Sequence, residues 1–398
     1  MPSSVLNLFA IFLKLGCTCF GGPVAHLGYF REEFVRRRQW LDDEHFSDLV
    51  ALCNFLPGPA SSQLVFALGM ERAGLAGALA ASLGFLLPSA VLMILFAYGV
   101  AALGDVQGAP WLHGLKIAAA AVVAQAVWNM ARRLCPDFPR ATLGVMATLL
   151  LLAFPSTYTQ IGVLAVGLVM GWISAKVPGF EFGVSDSEKS PATGNQPPAT
   201  SHRLAAIALA VYLVLLVLLP FLATSHGAQV LASFYRAGAL VFGGGHVVLP
   251  LLRAQVVPPG WISDHAFLAG YGAAQALPGP LFSFAAYLGA VIFAGPRAWL
   301  GGLACLFAIY LPAWLVVGGA LPFWHSFRNQ AWAQGALRGA NAAVVGILLA
   351  ALINPITTET LTSWTDVGAA IVAFGLLEKW RAPAWLVVVL AAALGKFI

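Results

Sequence analysis

The chain has 398 residues, 60% of them hydrophobic and only 9% charged, against roughly 25% charged in soluble domains, so hydrocarbon rather than water is its main solvent. The formal charge of +5 is modest. Its basic residues sit between apolar segments (Arg31, Arg36 to Arg38, Arg132, Arg133, Lys379, Arg381), a placement that suits lipid headgroups and topology signals better than nucleic acid.

In chain order, candidate apolar segments run over 5–27, 46–70, 74–102, 114–134, 141–155, 159–177, 203–223, 229–252, 264–293, 296–321, 332–353, 363–377 and 383–397. Most approach the roughly 20 residues that cross a bilayer. Unpaired backbone groups cannot face lipid, so these segments read as helices. The start, Pro2 to Lys14, lacks the basic n-region and small-residue cleavage site of a signal peptide, and the first apolar segment reads as a retained span. Residues 178–202 lose their apolar content and fill with Ser, Pro, Gly and charge, which predicts a solvated linker.

An internal repeat organises the rest. Residues 14–22, KLGCTCFGG, align with 236–244, RAGALVFGG, pairing Lys14 with Arg236 and Phe20-Gly21-Gly22 with Phe242-Gly243-Gly244. Trp40, Asp43 and Phe46 then meet Trp261, Asp264 and Phe267. Leu56-Pro57-Gly58-Pro59 falls on Leu277-Pro278-Gly279-Pro280, and Ser62 on Ser283. Farther on, Leu87-Pro88 matches Leu311-Pro312, and Ala120-Ala121-Val122-Val123 matches Ala342-Ala343-Val344-Val345. The expected fold is an all-α integral membrane protein of about thirteen membrane helices: a first repeat over 1–177, the linker, a connecting helix over 203–223 and a second repeat over 224–398. That additional helix turns the second repeat upside down, whereas re-entry of the Pro-Gly-Pro segments would make the halves parallel.

Several features point to an anion. The Phe-Gly-Gly sites let backbone unwind or approach a ligand, though each alone fits a close helix crossing. The Pro-Gly-Pro sites predict broken helices, whose second pieces expose N–H groups and a partial positive charge. Ser61, Ser62 and Ser283 supply hydroxyls there, and Asn54 and Gln275 flank them. Lys14 and Arg236 are cations within apolar spans, as are the equivalent pair Lys116 and Arg338, and such a charge demands a partner or an escape to the interface. His26 and His246 lie near the glycine sites and can titrate near neutrality. The candidate binding set is therefore Lys14, Gly21, Gly22, Asn54, Pro57, Gly58, Ser62, Arg236, Gly243, Gly244, His246, Gln275, Gly279 and Ser283.

Other readings are weaker. The run from Trp40 to His45 reads as a capped helix start rather than catalytic material. An odd number of cysteines (Cys17, Cys19, Cys53, Cys135, Cys305), most of them in or beside apolar segments, argues against a disulfide framework. No metal, nucleotide or other cofactor motif is present.

Residues 16–23, GCTCFGGP, with the Trp40-Leu41-Asp42-Asp43 loop, residues 54–59, NFLPGP, and their second copies resemble the chromate ion transporter family in its long, two-domain form. The resemblance covers nearly the whole chain outside the linker. It implies a multi-pass protein of the inner membrane that exports chromate and confers chromate resistance, driven by membrane potential or a proton gradient. The second copy departs in Gly245 for Pro23 and Gln275 for Asn54. Sulfate, a near-isostere, is the rival cargo. An intramembrane enzyme using Asp43, His45 or Ser62 is the rival class, followed by a structural membrane subunit, and a homodimer is left open.

Overall fold

The computed structural model describes residues 4–102, 110–176, 201–242, 247–324 and 330–395, and among these it is helical, with no strand. Residues 178–200 of the expected linker lie outside the described residues. The connecting helix is present as α8 (His202–Leu222), N-capped by Ser201.

The first repeat opens with two helical hairpins. Helix α1 (Val5–Thr18) leads to Phe20-Gly21-Gly22, and α2 (Gly22–Phe30), prolonged by a wider π-helical turn over Arg31–Arg37, brings the chain back. The return is recorded by packing: Phe34 meets Phe12 with ring centroids 5.1 Å apart, and Phe34 stacks on Trp40 at 4.7 Å. The second hairpin joins α3 (Asp43–Phe55) through Pro57-Gly58-Pro59 to the first part of α4 (Ala60–Ala102). Its two ends meet again, since His45 Nε2 lies 3.0 Å from Glu71 and Arg72 donates to the Trp40 carbonyl at 2.6 Å. At about 1.5 Å per residue, the 13 residues of α3 reach about 20 Å, short of the about 30 Å hydrocarbon core.

These contacts show that segments 5–27 and 46–70 each fold back on themselves as hairpins, the re-entrant alternative for the Pro-Gly-Pro segments. The helices do break at Pro-Gly-Pro, and the chain reverses there. At Ala73-Gly74, where Gly74 takes φ +60°, α4 turns out of the hairpin and becomes a long crossing helix.

The second repeat is built alike. Helices α9 (His226–Ala239) and α10 (Val248–Val256) form one hairpin; α11 (Asp264–Ala276) and α12 (Phe284–Ile292), the latter entered through a 3-10 turn at Leu281–Ser283, form the other. Arm closure again shows: Tyr287 of α12 donates to the Ala266 carbonyl at 3.0 Å, and Phe267 meets Phe284 at 5.0 Å. Helix α13 (Ala298–Ala320) then crosses as α4 does. The two crossing helices run antiparallel. Tyr98, late in α4, meets Trp299, early in α13, while Phe66 meets Trp314 and Asp48 bonds to Trp324 at the other extreme. The hairpins of the two repeats therefore enter from opposite ends of the molecule and meet tip to tip.

Two walls flank this hairpin core, and each mixes repeats. Helix α5 (Pro110–Leu134) of the first repeat packs with α15 (Trp364–Glu378) and α16 (Ala384–Leu394) of the second; α14 (Ala331–Ala351) of the second packs with α6 (Phe138–Ala153) and α7 (Thr157–Ser174) of the first. Glycines make the second crossing close, because a β-carbon on Gly339 would strike the Gly167 carbonyl and one on Gly171 the Gly335 carbonyl. Association in lipid depends on such small-residue packing.

Gly339→Leu is expected to destabilise the fold by about 1–3 kcal/mol through overpacking, seen as a lower melting temperature in detergent, whereas the same change at Gly368, which has open space around it, is expected to leave the melting temperature unchanged. The Glu71 carboxylate, by accepting a hydrogen bond, holds the His45 imidazolium above the ordinary histidine range. Its folded pKa being the higher one, the pair contributes stability that is full below pH about 6.5 and is lost as pH rises through the raised value. Glu71→Gln is expected to abolish this loss in a pH series of melting temperatures.

Candidate functional site

The described hairpin tips carry the repeated motifs, and backbone chemistry decides how they meet. A chain reversal inside the bilayer leaves peptide N–H and C=O groups that water cannot reach, and each such group costs several kcal/mol if left unpaired. Prolines 57, 59, 278 and 280 remove donors from the turns outright. The glycines between them adopt the left-handed side of the map, Gly58 at φ +128° and Gly279 at φ +96°, and Gly21 and Gly22 do the same at +97° and +77°.

The remaining donors are exchanged between repeats. Gly58 N–H donates to the Val241 carbonyl at 2.7 Å, and Gly279 N–H donates to the Cys19 carbonyl at 2.8 Å. Cys19 and Val241 are equivalent, each standing immediately before its Phe-Gly-Gly sequence, so each Pro-Gly-Pro turn is satisfied by the glycine motif of the opposite half. Packing repeats the exchange: a β-carbon on Gly58 would lie 3.0 Å from that of Ala313, and one on Gly279 would lie 2.9 Å from Ser89 Oγ. Ala313 and Ser89 follow the matched prolines Pro312 and Pro88 of the crossing helices.

The returning arms α2, α4 and α12 begin at these tips. Their N-termini converge from both ends of the molecule, which sums partial positive charge where the first-turn N–H groups have no helical acceptor. In α4, the Ser62 and Gln63 amides bend back to the Pro59 carbonyl, both at 2.9 Å, and Gln63 Nε2 donates to the Pro57 carbonyl at 2.8 Å.

Polar side chains without partners gather at the same level. Ser62 (3% exposed) faces Tyr310 (0%) of α13, yet neither hydroxyl has a well-formed hydrogen bond. One turn on, Trp314 stacks on Tyr310 at 6.1 Å and on Phe66 at 6.3 Å, with its indole N–H buried and unpartnered. His26, fully buried, places Nδ1 3.4 Å from Ser61 Oγ and leaves Nε2 without a partner; Gln275 Nε2 is likewise unpartnered. Each buried donor left unmade costs about 1–3 kcal/mol, a burden that an acceptor-rich guest would relieve.

The expected site residues distribute unevenly. Pro57, Gly58, Ser62, Gln275, Gly279 and Ser283 lie at or beside the junction, all buried or half-buried. Gly21 and Gly22 form a tip, and Asn54 is exposed one turn before the Pro-Gly-Pro bend. Gly243, Gly244 and His246 lie outside the described residues. The cations depart most from expectation: of the four, only Lys116 is buried, and it hydrogen-bonds His265 Nδ1 at 3.0 Å. Arg236 and Arg338 are half-buried and Lys14 is exposed, because α1 turns that face outward and escape is cheaper for a flexible lysine than burial. Tyr310 and Trp314 were not legible as site residues. Their counterparts in the first repeat are Leu86 and Ala90, so the repeat does not mark them, and a Tyr and Trp four apart read as ordinary core.

The enzymatic alternative loses its constellation. Asp43 pairs with Arg31 at 2.7 Å, His45 with Glu71, and Ser62 faces Tyr310, so nucleophile and base are not brought together.

The family model described as chromate transporter matches residues 6–172 and again 228–396, one match per repeat. A chromate transport protein of Pseudomonas aeruginosa is 31% identical over 409 residues, covering 98% of this chain and 91% of that protein. A chromate transport protein of Cupriavidus metallidurans is 24% identical with the same coverage of each. The uncharacterized transporter YwrB of Bacillus subtilis is 34% identical over 88 residues, covering 22% of this chain and 45% of that protein. No solved structure matches. Two matched repeats, full-length similarity to chromate transport proteins and a multi-pass helical architecture together make this chain a member of the chromate transporter family, in its long two-domain form.

Proposed function

We propose that the protein is a secondary transporter that exports chromate across the inner membrane, conferring resistance, with the tip junction as its binding site. The observation that carries this reading is the convergence of helix N-termini with buried hydroxyl and indole groups (Ser62, Tyr310, Trp314) at a junction where, among the described residues, no carboxylate is buried. Among the described residues the buried carboxylate is Asp366, which is tied to His113 at 2.7 Å near the start of α5, away from the tips. Helix N-termini with hydroxyl and indole donors and no counter-charge favour a tetrahedral oxyanion, whose surface is all acceptor, although Gln63 Oε1 is an unpartnered acceptor at the same junction.

We further infer that the repeats are inverted across the bilayer. Two hairpins per half re-enter, which leaves an even number of crossings in the first repeat, and α8 reverses the second; re-entry therefore does not make the halves parallel. The end where the first-repeat hairpins enter carries Arg31, Arg36, Arg37 and Arg38, and following the chain through α5, α6 and α7 adds Arg132, Arg133, Arg140 and Lys176. The opposite end carries Arg253 and Arg297. The rich end is then cytoplasmic. Outward movement of a dianion from a negative interior yields about 4.6 kcal/mol per 100 mV, twice the single-charge value, and needs no dedicated proton acceptor.

Inside-out vesicles with an interior-positive potential are expected to accumulate radiolabelled chromate. Tyr310→Phe, which removes one hydroxyl, is expected to raise the apparent KM about tenfold, the worth of one hydrogen bond to a charged group. Gly58→Ala is expected to abolish uptake, since φ +128° and the Gln63 contact leave no room for a methyl group. Sulfate added to the same vesicles measures how far the site separates near-isosteres. Well-folded protein that shows no potential-dependent uptake would overturn the proposal.

A further inference from the structure

The repeats match in sequence and topology, but they do not pack alike against the walls. Both second-repeat hairpins are docked: α10 against α7 and α14, and α11 against α5 and α16. The counterparts α2 and α3 make no comparable packing with the opposite walls among the described residues. Burial agrees. Helix α11 is buried without interruption from Phe267 to Ala274, whereas α3 buries one face, Phe46, Leu49, Leu52 and Cys53.

His265 and Gly272 of α11 face α5, and Leu268 and Gln275 fall on the same side at helical spacing. A β-carbon on Gly272 would lie 2.8 Å from the Leu115 carbonyl, and His265 holds Lys116. The equivalent residues of α3 are Glu44, Ser47, Ala51 and Asn54, and all four are exposed. They fall at helical spacing on one side. A stripe of Glu, Ser and Asn is costly against lipid, so a face of this composition calls for water or a polar partner.

We infer that α3 is a gate whose docking surface is α14 of the same chain. The pseudo-symmetry supplies the register. Leu115 and Lys116 correspond to Leu337 and Arg338, so closing α3 sets Ala51 against Leu337 and Glu44 against Arg338, as Gly272 sits against Leu115 and His265 against Lys116. Charge complementarity favours this occupant, a carboxylate meeting a guanidinium. Closure of α3 on α14 and release of α11 from α5 are two halves of one exchange, and the structure holds the state open at the arginine-rich end. The inference rests on the transport reading, because two alternating gates have meaning only around a carried substrate.

The test uses the full-length protein in inside-out vesicles. Asn54→Cys is expected to react with a membrane-impermeant maleimide from the arginine-rich, outward-facing side of these vesicles, at least about tenfold faster than in right-side-out vesicles. The double variant Ala51→Cys and Leu337→Cys is expected to form an oxidative cross-link that stops chromate uptake and is reversed by reductant. Single-cysteine variants control for the native cysteines. Adding Gly272→Leu, which props α11 off α5, is expected to raise the cross-linking rate about fivefold by shifting the population toward the α3-closed state. Exchanging the charges, Glu44→Arg with Arg338→Glu, is expected to restore uptake lost in either single variant. Vesicles that transport chromate while the Ala51 and Leu337 positions never cross-link, or while Asn54→Cys stays unreactive, overturn the gate and leave the transport reading standing. Absence of uptake by the unmodified protein overturns both. If Gly272→Leu fails to fold, the maleimide and charge-exchange results decide alone.

Discussion

A chain that reverses inside hydrocarbon must find partners for its own backbone, and in this protein each half finds them in the other. The Gly58 and Gly279 amides have no helical acceptor, and the flanking prolines prevent the turn from regularising into helix. Donation to the Val241 and Cys19 carbonyls, at 2.7 Å and 2.8 Å, makes the tips mutually dependent. Neither repeat is then a closed unit: its hairpins end in groups that only the opposite repeat completes. The exchange is reciprocal in the way a two-fold interface is, residue for equivalent residue, and the mixed walls of α5 with α15 and α16, and α14 with α6 and α7, extend the same logic to the periphery.

From this constraint the electrostatics follow. A hairpin that turns at mid-depth ends one helix and begins another, so every tip contributes a helix N-terminus. Opposed entry gathers them at one level. The result is a positive potential generated by backbone, to which the exposed Lys14 is not a buried contributor. A site of this kind avoids the tight grip of a buried lysine or arginine, which suits a carrier that must release its cargo. In the proposed binding site, hydroxyl and indole groups such as Tyr310 and Trp314 would set shape and orientation without adding fixed charge.

Much of this was legible in the chain. The composition requires a membrane protein, the paired Phe-Gly-Gly and Pro-Gly-Pro sequences mark the repeat, and the mid-segment prolines locate the breaks. What could not be read was the direction taken after each break. Hydropathy treats 46–70 as one span, because two arms of 13 residues and a short turn have the length and apolar content of a crossing helix. Only a contact such as His45 with Glu71 reveals that the ends come home together. The cations misled for a related reason: Lys14 lies in an apolar stretch, yet a sequence does not say which face of α1 points outward. Tyr310 and Trp314 stayed hidden because they break the repeat instead of obeying it.

That departure from symmetry bears on mechanism. Two copies related by inversion can carry a single cargo in two states only if each state treats the copies differently. Differences are therefore expected at two places: side chains that give the site a preferred orientation, and surfaces that dock in one state and part in the other. Tyr310 and Trp314 opposite Leu86 and Ala90 are of the first kind. The exposed stripe of α3 opposite the buried face of α11 is of the second. A merely structural subunit would have no reason to leave Asn54 exposed one turn from the junction while burying the amide of its counterpart Gln275, since both would be cheaper either covered or replaced by apolar residues. The polar face is retained because the same surface meets water in one state and α14 in the other.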